Sequence, residues 1–313
     1  MAFKRKPQAF NASINEVTFG CGDAAVTIGG ENTMPLYTFD APAKNKVAVG
    51  FEITDDGIDT TLPRLAAAFD GCSTPAEIAA KAENMEGVDF IALSLVGADP
   101  NGENKSVDEC CEIAVAVSNA ITKPLAIMGS KNAEKDADLF NKIAEALQGK
   151  NVLFVSCREE NYKQVSASAG LAYGQKISAE SAVDINLAKQ LNVLISQMGV
   201  KPEACVMNCG SAAAGYGFEY VASTLDRVKA AALTQNDDKL QMPIITPVGD
   251  EAWGVKEAIV SAEDMPEWGE REDRGVAMEI STAASVVAGG SNAVILKHIE
   301  SVKTISALAA ALM

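Results

Sequence analysis

The 313-residue chain reads as an α/β protein of the (β/α)8 TIM-barrel class. Apolar residues cluster into runs of strand length, and amphipathic stretches of helical period separate them. Eight such runs follow one another: Val47 to Ile53, Phe90 to Val96, Leu125 to Met128, Val152 to Val155, Lys176 to Ser178, Cys205 to Met207, Pro243 to Thr246 and Ala293 to Leu296. Each but the last hands over to a helical stretch. So regular a count favours a closed barrel of parallel strands over an open doubly wound sheet. Ligands of such barrels meet the loops that leave the C-terminal strand ends, which confines the search for chemistry to eight short segments.

Residues 1–46 fall outside this alternation. Val17 to Gly20 and Ala24 to Ile28 form two short strand patterns across a turn at Cys21, Gly22 and Asp23, as a hairpin placed to plug the barrel's N-terminal mouth. The expected division is an N-terminal extension with hairpin, 1–46, and a barrel, 47–313. The glycines of the extension belong to a turn and precede no helix start, which argues against a dinucleotide fingerprint.

Helix signals mark the rest. Thr74, Pro75 and Glu77 supply an N-cap, a first helical residue and a capping-box acid, ahead of a stripe of Ile78, Ala82 and Met85 that Gly87 stops. Ser106 with Glu109 repeats the capping box, and Cys110 and Cys111 share the following stripe with Ala114, Val117 and Ile121. Ser181 and Asp184 open a helix whose Leu187, Leu191, Leu194 and Met198 recur at helical spacing until Gly199 and Pro202.

Charge narrows the partners. Lysine and arginine number 26 against 42 acidic residues, and a net charge of −16 repels phosphate backbones and anionic lipid surfaces. No apolar run approaches the roughly 20 residues of a membrane span, and the basic stretch Met1 to Pro7 has no apolar segment behind it. A soluble cytoplasmic protein is expected, without nucleic-acid or membrane partners. Seven cysteines and no secretory signal point to free thiols in a reducing compartment. Cys205 and Cys209 bracket a strand end and face a ligand if they point inward. A zinc or iron-sulfur site needs about four ligands at tight spacing, so none is expected in this chain.

Two strand-end loops stand out. Asn208 to Tyr220 is rich in glycine and small residues, which let backbone approach something flat or bulky. Pro247 to Glu270 is long, acidic and carries both tryptophans, Trp253 and Trp268, as a partner-facing element would. The single histidine, His298, suits a helix cap just past the eighth strand. It builds no His/His metal site, and Leu296 and Ser301 stand where a D-x-H-x-x-G corrinoid motif has aspartate and glycine. Glu52 and Asp55 against Asp99 are read as solvated carboxylates, not as an acid–base pair.

Several motifs then resemble one family. They are Gly29-Gly30-Glu31-Asn32 with Met34-Pro35 and Phe39-Asp40; Gly215 to Tyr220; Gln241-Met242-Pro243-Ile244; Glu251 to Ala258; and Pro266-Glu267-Trp268-Gly269 with Arg271 and Arg274-Gly275. In this order, over essentially the whole chain, they resemble the small (delta) subunit of the corrinoid iron-sulfur protein of the CO dehydrogenase/acetyl-CoA synthase system. One departure is Asn208-Cys209-Gly210-Ser211, where the family has an Asp-Pro-Thr-like stretch, so polar contacts at the start of that loop do not carry over.

The resemblance implies a place in the reductive acetyl-CoA (Wood-Ljungdahl) pathway. It implies a heterodimer in which a large subunit carries the iron-sulfur cluster and this barrel helps enclose the shared cobalamin. That corrinoid takes a methyl group from a methyltetrahydropterin through a methyltransferase and delivers it to acetyl-CoA synthase, so both enzymes are expected as transient partners. Asn208, Gly210, Gly215, Tyr216, Gly217, Pro247, Gly249 and Trp253 are the expected corrinoid-facing residues, with no catalytic residue and no metal ligand. The alternative is a pterin-dependent corrinoid methyltransferase in its own right.

Overall fold

The computed structural model describes residues 6–8 and 10–312, so most of the basic stretch Met1 to Pro7 lies outside the described residues. Eight strands form one parallel sheet: β3 (Ala48–Thr54), β4 (Phe90–Ser94), β5 (Leu125–Met128), β6 (Leu153–Cys157), β7 (Lys176–Glu180), β8 (Cys205–Asn208), β9 (Ile245–Pro247) and β10 (Ala293–Leu296). Neighbours in sequence are neighbours in space, and β10 returns to pair with β3. The ring closes between β8 and β9 by a parallel bridge, Met207 to Ile244, with the Met207 amide donating to the Pro243 carbonyl at 2.8 Å. The expected barrel is therefore present. Its seventh strand begins later than the pattern predicts, because Pro243 lends a carbonyl to the seam but has no N–H for the ladder.

The eighth strand does hand over to a helix, Ile299–Ala311, contrary to the reading of the sequence. Its N-cap is the histidine itself.

Alternation along the strands sorts the core. Val49, Phe51 and Ile53 join the apolar layer shared with the helices, while Ala48 belongs to a second cluster with Phe90, Ala92, Ala126, Leu153, Val206, Ile245 and Ile295 inside the barrel. Two further strands, β1 (Val17–Phe19) and β2 (Val26–Ile28), form the antiparallel hairpin, and Val17, Phe19 and Ile28 pack into this inner cluster. Phe19 meets Phe90 edge-on at 5.3 Å between centroids. Gly50 makes room for that ring, since a Cβ there would lie 2.3 Å from Phe90 Cε2. Gly50→Ala is expected to destabilise by about 1–3 kcal/mol through overpacking, read from urea unfolding; an unchanged midpoint would contradict this packing.

Both capping boxes form, at Thr74 with Glu77 and at Ser106 with Glu109. Asp184 caps helix Ile185–Met198, but the buried stripe is Ala188, Leu191, Asn192 and Ile195, rotated from the expected one, and Met198 is exposed. A polar contact sets that rotation: Asn192 Nδ2 donates to the Lys239 carbonyl at 2.7 Å, which turns an amide inward beside Cys205. All seven cysteines are free. Cys205 and Cys209 do not point at a ligand; both are buried in the layer shared with the helices, and burial pushes each thiol up to about 12. Among the described residues no helix is long and apolar enough to cross a membrane.

Candidate functional site

The open end of the barrel is where the strands leave polar side chains. Continuing the inward set, Glu52 lies two residues beyond Gly50, and Lys297 two beyond Ile295. Register places these two strand ends side by side, since Leu296 pairs with Phe51. Glu52 is buried, and neither of its carboxylate oxygens has a hydrogen-bond partner among the described residues. Lys297 Nζ is 3.8 Å from Glu52 Oε1 and donates to Asp250, whose other oxygen is 2.6 Å from Lys131 Nζ. Gly249 lets the chain pass this cluster, because a Cβ would meet Lys297 Cγ at 2.6 Å and Glu52 Oε2 at 3.0 Å.

Electrostatics divides the carboxylates. Burial pushes Glu52 up to about 7; Lys297 pulls it down, and Asp250 and Glu279 push it further up. Asp250 suffers burial too, yet Lys297 and Lys131 hold it down at about 2. Burial likewise disfavours the Lys297 ammonium, but Glu52 and Asp250 outweigh it and raise its pKa. The floor of the mouth thus holds one firmly ionised Asp–Lys pair and one carboxyl poised near neutrality.

Two cavities open above this floor. One, about 350 Å³, is lined by Glu52, Ile58, Leu62, Leu65, Asp250, Trp253, Arg271 and Lys297. The other, about 310 Å³, is lined by Ser94, Ser156, Arg158, Glu180, Asn208, Gly210, Pro247 and Lys131 among others. Both are at the lower end of the roughly 300–1,000 Å³ typical of small-molecule sites.

The expected corrinoid-facing residues fall into three groups. Asn208, Gly210 and Pro247 line the second cavity, with Asn208 Oδ1 accepting from the Gly210 amide at 3.0 Å. Trp253 lines the first, and Gly249 packs against Lys297 and Glu52, two of its lining residues. Gly215, Tyr216 and Gly217 line neither cavity. They form the rim, where Tyr216 donates its hydroxyl to Glu257 Oε2 at 2.6 Å and Gly217, at φ +85°, supplies no side-chain cap to helix Phe218–Thr234.

The tryptophan loop is less outward than its length suggests. Trp253 stacks on His298 at 5.9 Å and lies against Gly275, where a Cβ would come within 2.1 Å of the ring. Trp268 is half-buried, with Lys256 at 5.2 Å and Arg274 at 5.7 Å from its ring centroid. The large apolar groups exposed here are instead Tyr216, Tyr220 and Ile259.

His298 is a cap: Nδ1 accepts from the Glu300 amide at 3.2 Å and Nε2 lies 3.0 Å from Glu272 Oε1. Glu272 also accepts from the Arg64 and Leu65 amides, and Glu279 from the Lys297 and His298 amides, so one helix, Arg271–Ala288, fixes both sides of the site.

Two of the three carboxylates expected in solvent are not there, and Asp99 alone is partly exposed. Glu52 and Asp55 are both buried, and Asp55 is committed to the Gly97 amide at 3.0 Å and Lys105 at 3.3 Å. Asp99 closes its own turn on Asn101. Lys297, Asp250 and Glu279 were not singled out from the sequence as site residues. Inward parity, Ala48-x-Gly50-x-Glu52 and Ala293-x-Ile295-x-Lys297, was the available signal for Glu52 and Lys297.

Residues 16–311 match the family profile described as CO dehydrogenase/acetyl-CoA synthase delta subunit. The chain belongs to this family. The delta subunit of the acetyl-CoA decarbonylase/synthase complex of Archaeoglobus fulgidus is 30% identical over 313 residues, covering 95% of the chain and 68% of the relative. Delta subunit 1 of Methanosarcina thermophila is also 30% identical, covering 88% and 64%. The Methanocaldococcus jannaschii subunit is 31% identical, covering 93% and 72%. This delta-family chain therefore spans roughly two thirds of the length of these relatives. In fold it is similar to dihydropteroate synthases. The Xanthomonas albilineans enzyme with 4-aminobenzoic acid superposes with TM-score 0.57 at 11% identity, covering 95% of this chain and 98% of that one. The Yersinia pestis enzyme with a pterine-sulfa conjugate gives 0.54 at 12%, covering 85% and 93%.

Proposed function

We propose that this delta-family chain covers a corrinoid held by a larger partner subunit, with the loops after β8 and β9 facing the macrocycle. The observation that carries the reading is the rim. Tyr216 and Tyr220 follow β8 and Ile259 follows β9, exposed by 48%, 69% and 57%, on two segments that Tyr216 joins through Glu257, in a chain whose net charge is −16. Exposed aromatic and aliphatic groups at the edge of a polar mouth suit a flat partner surface.

The donor set fits the periphery of such a ring and not its metal. Both ring nitrogens of His298 are engaged and its side chain is buried, and the Cys205 and Cys209 thiols are buried and held protonated. Tyr216 and Tyr220 offer faces, while Gly215, where an added Cβ meets nothing within 4 Å, lets a bulky group approach the backbone. When bound, the corrinoid's cobalt supplies the carrier for a methyl group travelling from a methyltetrahydropterin to acetyl-CoA synthase. The contribution of this chain is to orient the ring and keep water from its exposed face.

A second reading, a methyltetrahydropterin-dependent methyltransferase, is favoured by the polar cavity beside Asn208 and by the carboxyl of Glu52 near neutrality. Affinity purification with absorption spectroscopy separates the two. The cover reading expects a second protein to copurify, corrinoid bands in the pair, and neither bands nor methyl transfer to added corrinoid by this chain alone. Methyl transfer by the isolated chain would replace it with the second reading.

A further inference from the structure

The buried carboxylate of Glu52 accepts no hydrogen bond among the described residues, although a cation stands 3.8 Å away. That distance is too long for a hydrogen bond and too short to hold a water squarely between the two groups. A buried acceptor left without a donor is destabilising, and a ligand that supplies the donor completes the arrangement. We propose that the roughly 350 Å³ cavity bordered by Glu52, Lys297 and Trp253 binds a primary carboxamide, its carbonyl accepting from Lys297 and its NH2 donating to Glu52.

Charge selects the neutral head group. Lys297 and Arg271 stand against Glu52, Asp250 and Asp59 around this cavity, and Lys131, which lines the neighbouring cavity, pairs with Asp250, so neither a cation nor an anion is favoured by the surroundings. A carboxamide presents one acceptor and two donors in a plane, which matches an ammonium beside a carboxyl. A carboxyl poised near neutrality can also donate an O–H hydrogen bond to the amide oxygen, which a fully ionised one cannot. Leu62, Leu65 and Trp253 form the apolar wall for the rest of the molecule. The amide is carried either by a free small molecule or by the amide-bearing fringe of a corrinoid; the second source rests on the function proposed above.

Calorimetry on the 313-residue chain, with nicotinamide as the small amide and nicotinate as its carboxylate counterpart, tests the site. Nicotinamide is expected to bind, with nicotinate about tenfold or more weaker, because Glu52 repels the carboxylate and has no N–H to accept. Glu52→Ala is expected to weaken nicotinamide by about tenfold, and Glu52→Gln, which keeps an acceptor, to restore most of the loss. If Glu52→Ala fails to fold, the discrimination between amide and carboxylate by the unaltered chain decides. Equal binding of the two probes, no binding of nicotinamide, or indifference to Glu52→Ala in a folded protein overturns the proposal. Dicyanocobinamide, which carries several primary amides, identifies the source. Binding that Glu52→Ala weakens assigns the site to the corrinoid fringe, whereas sensitivity of nicotinamide alone assigns it to a free amide and leaves the site standing without the cover reading.

Discussion

Lys229→Met is expected to lower the stability of the fold by about 3 kcal/mol, measured by urea unfolding at neutral pH. Lys229 has only 1% of its side chain exposed and lies 2.6 Å from Glu31 Oε1 and 3.0 Å from Asn292 Oδ1. Asn292 in turn donates to Glu31 at 2.9 Å and accepts from the Ile244 amide at 2.9 Å, beside the seam that closes the barrel. Removing one partner of a buried pair leaves the other charge uncompensated, at about 3–5 kcal/mol. Glu31 retains 21% of its side-chain surface, which places the effect at the low end. Although burial opposes it, Lys229 keeps the Glu31 carboxyl below its ordinary range, so Glu31 is ionised at neutral pH. Adding Glu31→Gln to Lys229→Met is expected to recover part of the loss. Full stability of the single variant would mean that the network does not tie the extension to the barrel.

Glu52→Gln is expected to act in the opposite direction, and only above a definite pH. The folded-state pKa of Glu52 is raised from 4.5 to about 7. Between those values the folded chain holds a proton that the unfolded chain has released, so stability declines as pH rises through this window and levels off above it. The rise corresponds to about 3 kcal/mol at most. Lys297, Asp250, Glu279 and Lys131 all face this carboxyl, and Glu279, also raised by burial, adds a decline of the same sign. Glu52→Gln should therefore match the parent near pH 4, exceed it by a few kcal/mol at pH 8, and leave a shallower decline between. A difference independent of pH would show that Glu52 does not titrate in this way.

The barrel was legible because its determinants are local and repeated. Eight apolar runs, two capping boxes, and Gly199 as a helix stop each act within a few residues, and each is found in the structure, whereas the helix expected to run to Gly87 already ends at Ala82. The site was less legible because its chemistry depends on burial, which sequence does not state. Glu52 and Asp55 look like surface carboxylates until the strand they end is rolled into a barrel and Lys297 and Lys105 are brought beside them. Trp253 signals an exposed loop until Gly275, far along the chain, opens a slot for its ring. His298 was readable as a cap because a cap needs only the next two residues. Asn192 shows the limit from the other side, since one buried amide rotates a helix whose leucines alone suggest another face.

Hydroxyl-radical footprinting of the chain, alone and with a corrinoid-bearing partner, tests the cover reading most directly. Tyr216, Tyr220 and Ile259 should be oxidised readily in the free chain and protected in the pair, while Tyr37, exposed by 47% on the segment beside the barrel's other end, should react equally in both. A rim oxidised to the same extent with and without the partner, or protection confined to Leu36 and Tyr37, would contradict it.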